Sequence, residues 1–234
     1  MKYLTLYCLL FSNASLFAQS VLVEYNRYQT FLTGENRAMI AARSPTLVKK
    51  FENEYERFEL ITNARQSKYR YIEIMYKDTL IPRGNSTRAN ATIYLDCVQK
   101  YVYHIENTMP DKVGRDTLLR IQDWKIATGE KEIAGYSCKK AMGTDPNGYE
   151  IIAWFTLDIP IQQGPAAVYG LPGLVLGVES KNYNIFAHKV QLLSQVIAIK
   201  MPIADTYLTL KALGDESYTK LMETVKRSKK EPQK

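Results

Sequence analysis

Residues 145–148 read Asp145-Pro146-Asn147-Gly148, and the runs on either side, Glu132 to Met142 and Tyr149 to Leu157, are strand-like. A tight turn that matches the twist of its strands needs positive φ at its centre, and Asn147-Gly148 is the pair that accepts it most readily. The stretch therefore predicts an antiparallel β-hairpin. A second one joins Leu174–Glu179 to Tyr183–Val190 through Ser180-Lys181-Asn182. Outward from these hairpins, Ser20 to Tyr28, Lys68 to Tyr76, Lys100 to Ile105 and Thr117 to Ala127 are rich in Val, Ile, Tyr and Thr and alternate as half-buried strands do. In Arg70-Tyr71-Ile72-Glu73-Ile74 the alternation puts Ile72 and Ile74 on one face and Tyr71 and Glu73 on the other. Only the end looks helical, with Asp215 as cap and Tyr218, Leu221, Met222 and Val225 at three- and four-residue spacings. There is no internal repeat and no domain-scale linker. The expected fold is mainly β: an antiparallel curved sheet, or a partly open barrel-like sheet, with a C-terminal helix.

The N-terminus reads as an export signal. Lys2 precedes the apolar run Tyr3 to Phe11, and Ser15-Leu16-Phe17-Ala18 leads into the polar Gln19-Ser20, which places cleavage after Ala18. Cys8 follows Tyr7, where lipidation would need a small residue. No segment reaches the roughly 20 apolar residues that span a bilayer as a helix, so no transmembrane anchor is expected in the mature chain. The expected organisation is a signal peptide over 1–18, one β-rich domain over 19–225 and a disordered basic tail over 226–234. The formal charge is +7, but the tail carries most of it, leaving about +2 on the body. That is not a nucleic-acid footprint.

Without the signal peptide two cysteines remain, Cys97 and Cys138. An even count in an oxidising compartment points to a disulfide, with two buried free thiols as the rival. Catalytic chemistry leaves little trace. There is no Gly-x-Ser-x-Gly elbow and no His-Glu-x-x-His, and both histidines, His104 and His188, fall on predicted strands. Folding could bring His188 to Glu179 or His104 to Glu106, though nothing in the spacing demands it. No metal site or cofactor is expected. Tyr25, Tyr28, Tyr69, Tyr71, Tyr76, Tyr101 and Tyr103 alternate along strands, and such faces either pack a core or line a groove.

One segment interrupts the strands. Residues 162–174 contain Gly164-Pro165 and Tyr169-Gly170-Leu171-Pro172-Gly173-Leu174, a concentration of glycine and proline. Leu-Pro-Gly builds a turn: Pro172 presets φ, and Gly173 is expected to supply the positive φ of a type II turn. The motif holds no nucleophile, acid, base or metal ligand, so its simplest role is a backbone corner. Tyr169 is the residue of the loop most suited to touching something else. Gly170-Leu171-Pro172-Gly173-Leu174-Val175 resembles the hexapeptide of the GLPGLI family, with Val175 for the final Ile. Ile133 to Ala141, Trp154 to Pro160 and Gly164-Pro165 resemble the family's other shared stretches in order.

That resemblance implies an exported protein of Bacteroidetes with no assigned biochemical function. It also implies O-glycosylation at Asp-Thr-aliphatic triplets, here Thr79 in Asp78-Thr79-Leu80 and Thr117 in Asp116-Thr117-Leu118. Asn85 and Asn90, in Asn-x-Ser/Thr contexts, are read as chance. The functional expectation is a noncatalytic periplasmic binding or carrier module for an apolar ligand, lipid or peptide. The alternative is an interaction component of an outer-membrane assembly, docked through an edge strand or the glycine-rich loop. A contiguous apolar cavity would favour the carrier, and a filled core with an exposed aromatic patch the docking component.

Overall fold

The computed structural model describes residues 20–30, 34–78, 91–117, 124–145 and 148–228. The proposed signal peptide, Thr79, Asn85, Asn90, Asn147 and the end of the basic tail lie outside them. In chain order the elements are β1 (Ser20–Gln29), α1 (Gly34–Arg43), α2 (Pro45–Asn53), β2 (Glu54–Thr62), β3 (Gln66–Tyr76), β4 (Ala91–Asp96), β5 (Tyr101–Glu106) and β6 (Gly114–Thr117). They continue with β7 (Lys125–Ile133), β8 (Tyr136–Thr144), β9 (Glu150–Thr156), β10 (Leu174–Glu179), β11 (Tyr183–Leu193) and α3 (Leu210–Ser228).

The strands form one antiparallel sheet in the order β6-β5-β4-β3-β2-β1-β11-β10-β9-β8-β7. Two meanders thus meet at the β1–β11 pairing, and the chain crosses from one edge, β6, to the other, β7. Laid flat, eleven strands at about 4.8 Å spacing would put those edges about 48 Å apart. The eight steps from Thr117 to Lys125 reach no more than about 28 Å. The sheet therefore has to curl, and the mainly β, open, curved architecture expected from the sequence is what forms.

The hairpins largely follow expectation. Across residues 145–149 the Asp145 amide donates to Tyr149 O at 2.7 Å, the Gly148 amide to Asp145 O at 2.8 Å, and Gly148 sits at φ +85°. Ser180 closes the β10–β11 turn, its hydroxyl donating to Tyr183 O at 2.8 Å. The run from Glu132 to Met142 is not one strand, however. Ala134 (φ +51°) and Gly135 (φ +82°) make a two-residue turn between β7 and β8, pairing Ile133 with Tyr136. Nor is 117–127 one strand, since β6 ends at Thr117 and β7 starts at Lys125.

Other departures have local causes. Residues 34–53 form two helices that short apolar spacing did not announce; Ser44 caps α2, its hydroxyl accepting from the Leu47 amide at 3.3 Å. α3 starts at Leu210, five residues before Asp215, because Thr209 accepts from the Ala212 amide and the Asp116 carboxylate from the Leu210 amide. Its buried side is Leu213 and Ser217, whereas Tyr218 is exposed. α3 also runs to Ser228, into the segment read as a tail. In β3 a bulge at Ile72 shifts the register, so Tyr71 lies opposite Phe58 and Glu73 opposite Arg57. Tyr71 therefore packs edge-on to Phe58 while Glu73 pairs with Arg57 on the other face.

Val21, Val23, Tyr25, Phe58, Leu60 and Tyr69 line the inner face of the N-terminal half. Ile159, Ile161, Val168 and Leu171, from the segment between β9 and β10, belong to the same core. The motif segment is thus folded into the sheet's interior. Among the described residues no helix is long and apolar enough to cross a membrane.

Candidate functional site

Three segments meet at one end of the sheet: the β2–β3 tip (residues 63–66), the β4–β5 tip (97–100) and the motif loop (159–173). What joins them is Gln163, 1% exposed. Its Oε1 accepts from Thr62 Oγ1 at 2.5 Å, and its Nε2 donates to Ala64 O at 3.2 Å and Cys97 Sγ at 3.1 Å. Its backbone oxygen accepts from the Val175 amide at 3.0 Å. One side chain therefore pegs the loop to both hairpin tips. Removing it would leave several buried groups unpaired.

The loop itself is a tight fit. Gly170 has φ +92°, and its amide donates to Gln162 O at 3.0 Å. The expected positive φ at Gly173 is absent. Gly173 is needed for closeness instead: a Cβ there would overlap the Thr156 carbonyl oxygen. A Cβ on Gly164 would lie 2.5 Å from Val175 Cβ. Pro165, Leu171 and Leu174 are buried, and Tyr25 Oη donates to Val175 O at 2.6 Å across the core. Gly164, Pro165, Leu171, Gly173 and Leu174 thus serve packing, while Gly170 and Pro172 face solvent. Tyr169 is half-buried, packed against the small cluster of Leu95 and Val102, with its backbone oxygen accepting from Trp124 Nε1 at 3.1 Å.

Beside Tyr169 lies a recess of about 540 Å³, lined by Ala64, Cys97, Lys100, Gln162, Tyr169 and Gly170 among others. A second, of about 400 Å³, is formed by other residues of the same two tips, Arg65, Asp96 and Gln99 among them. Backbone strain gathers here. Among the described residues the non-glycine residues with positive φ are Ala64 (+66°), Lys100 (+62°), Ala134 (+51°), Ala166 (+51°) and Ala167 (+63°). All but Ala134 belong to the three segments that meet at this end. An L-residue held left-handed costs about 1 kcal/mol or more, and such positions gather at ligand clamps and switches.

The remaining candidates are not assembled into chemistry. Cys97 and Cys138 are both free, against the disulfide favoured by their even number. Cys138 is buried in the main core, and Cys97 sits at the β4–β5 tip, where Gln163 holds its sulfur. Burial raises both thiol pKa values, that of Cys138 to about 11. His188 Nε2 meets Glu24 at 3.4 Å, not Glu179, which binds Lys131 Nζ at 2.6 Å and Trp154 Nε1 at 2.9 Å. His104 is pulled down to about 4 by burial, with Asp116 pulling the other way. Among the described residues no group of three or more His, Cys, Asp and Glu side chains could hold a metal. Thr117 is exposed at the end of β6, and the preceding Asp116 is engaged with α3.

The class of protein is set by the sheet: a mostly β chain built on an open, eleven-stranded antiparallel sheet with a C-terminal helix. A family described as a protein of unknown function, Porph_ging, matches residues 144–177, which run from the end of β8 through β9 and the motif loop into β10. No curated protein sequence matches the chain. Two crystal structures of PNGF-II, in space groups C2 and P21, share its fold with TM-scores of 0.54 and 0.55 at 15% and 16% identity over 87% of this chain. The chain spans about a third of PNGF-II, 33% and 34% in the two forms.

The sequence singles out the loop and Tyr169 but not Gln163, Ala64 or Lys100. Nothing distinguishes Gln163 from its exposed neighbour Gln162 in the sequence. Lys100 and Ala64 are ordinary residues in a backbone conformation that composition does not report.

Proposed function

We propose that this chain is an exported, noncatalytic binding module that receives a peptide segment in the recess beside Tyr169. One observation carries the reading: the strained, non-glycine turns of residues 64, 100, 166 and 167 converge on the segments around that recess. Holding them left-handed opposes folding, and a pre-shaped binding edge is a function that repays the cost. The motif segment occupies the sheet's interior with Ile159, Ile161, Val168 and Leu171, which argues against a lipid carried inside the curl. Lys100 and Gln162 line the recess beside Ala64, Pro160 and Tyr169, a mixture suited to a peptide with both main-chain and side-chain contacts. Edge docking through β7 is less favoured. That strand alternates Lys and Glu and bends at Gly129 (φ +140°), and both features discourage strand addition.

Tyr169→Ala tests this. The variant is expected to keep its abundance and to lose the partner seen by native mass spectrometry of protein purified from its own source. A variant that binds in proportion to what remains folded would reduce Tyr169 to a packing residue and remove the reading.

A further inference from the structure

Lys100 and Arg65 stand on the two hairpin tips that Gln163 ties together, and the Cys97 amide donates to Arg65 O at 2.9 Å, so the tips are also joined by backbone. Lys100 lines the recess beside Tyr169 and Arg65 the adjacent one. Both are exposed, and among the described residues neither side chain makes a hydrogen bond or ion pair. The described lining contains one carboxylate, Asp96, 2% exposed, and it is fully engaged. Its Oδ1 accepts from the Val98 and Gln99 amides at 3.0 and 2.8 Å, and its Oδ2 from Gln66 Nε2 at 3.0 Å. The side-chain amides of Gln99 and Gln162 are exposed and make no bond among the described residues. Asp96 keeps its charge, but its oxygens are turned to the neutral donors of Val98, Gln99 and Gln66, so the lining of the two recesses carries two cations against one carboxylate, and the groups left open to a ligand are the two cations and the exposed amides.

We infer that the two recesses form one site for an acidic peptide, its carboxylates held by Lys100 and Arg65 as the peptide lies across the two joined hairpin tips. This rests on the reading of the recess as a peptide site and adds the charge of the ligand. A cation on a turn fixed in the left-handed region is held close to where it must act, so less side-chain and backbone ordering is left for binding. Exposed charges separated by more than a Debye length, about 10 Å at 0.1 M salt, act little on one another. The preference therefore has to fall as salt rises.

The test is fluorescence anisotropy of the full chain with three labelled decapeptides of equal length: one rich in Glu, its Gln counterpart and a Lys-rich one. The Glu peptide is expected to bind about tenfold tighter than the Gln peptide at low salt, equivalent to roughly 1.4 kcal/mol. Lys100→Met and Arg65→Met should each remove several-fold of that preference, and the double variant should abolish it with an unchanged Tm. Lys211→Met, on α3, should change nothing. If Lys100→Met folds poorly, Arg65→Met alone carries the test. Glu and Gln peptides binding alike would overturn the inference and leave the peptide site standing, as would a preference that survives the double variant. Failure of all three peptides to bind would sink the peptide reading and the inference with it.

Discussion

β2, in one half of the sheet, and the β9–β10 pair, in the other, are buried in different ways. In β2 exposure alternates residue by residue, with Glu54, Glu56, Phe58, Leu60 and Thr62 inside and Arg57, Glu59 and Ile61 more open. β9 and β10 do not alternate: from Ile151 to Thr156 only Ile152 escapes full burial, and Leu174 to Val178 are buried without a break. β2 has one face on the core and one towards water. β9 and β10 are covered on both, with Lys131 of β7 lying over the Trp154 and Phe186 rings at 4.5 and 4.7 Å. A strand buried on both faces cannot trade residues with the solvent-facing set. The segment that matches the Porph_ging family, 144–177, contains β9, the loop and the start of β10, Leu174 to Gly177.

If double coverage is what distinguishes the β9–β10 pair, the largest effect should come from filling its tightest point. Gly173→Ala places a methyl group against the Thr156 carbonyl, which is backbone and cannot rotate away. A loss of about 3 kcal/mol is expected in urea unfolding, at the upper end of the usual cost of overpacking. A loss below about 1 kcal/mol would mean that the β9–β10 connection yields easily, and the contrast with β2 would disappear.

The N-terminal half should respond to pH through His104 on β5. Burial there holds its pKa near 4, against an ordinary value of 6.5, so folding favours the neutral ring. The stabilising contribution is complete above about pH 6.5 and is lost as pH falls towards 4, on the order of 2 kcal/mol for a partly buried ring. Burial raises the pKa of Glu106, which works in the opposite direction over an overlapping range. The quantity to measure is therefore the difference between wild type and His104→Gln, by urea unfolding from pH 7 to pH 4. That difference should shift by about 2 kcal/mol in favour of the variant. A flat difference would place His104 in water.

Legibility in the sequence follows the same division. The hairpins at Gly148 and at residues 180–182 were readable because a turn with its own chemistry sat between two runs of strand formers. The antiparallel, curved character of the sheet followed from them. The bulge at Ile72 was not, since one inserted residue reverses faces without changing composition. Helices α1 and α2 were missed because α1 buries none of its residues and so carries no apolar stripe to recognise. At the loop, the need for glycine at 173 was legible but its reason was not. Sequence suggested a left-handed turn, while the constraint is the carbonyl of Thr156, 17 positions earlier.

The smallest effect is expected on the outer face of the N-terminal half, at Arg57. Its guanidinium bridges Glu24 at 2.5 Å and Glu73 at 3.0 Å, and Glu24 is also met by Lys189 at 3.2 Å and by His188 at 3.4 Å. Burial pushes the Glu24 carboxyl up, but the hydrogen bonds from Lys189 and Arg57 outweigh it and hold the group below the ordinary range. Arg57→Ala leaves Glu24 its other two partners, and Arg57 and Glu73 stand 30% and 48% exposed. Water and salt then replace most of what is lost, so the cost should be under about 1 kcal/mol and should shrink further at 1 M salt, where the Debye length is about 3 Å. Urea unfolding at low and high salt reads both quantities. A salt-independent loss above about 2 kcal/mol would mean that this face is covered as β9 and β10 are, and β2 would differ from them in sequence but not in kind.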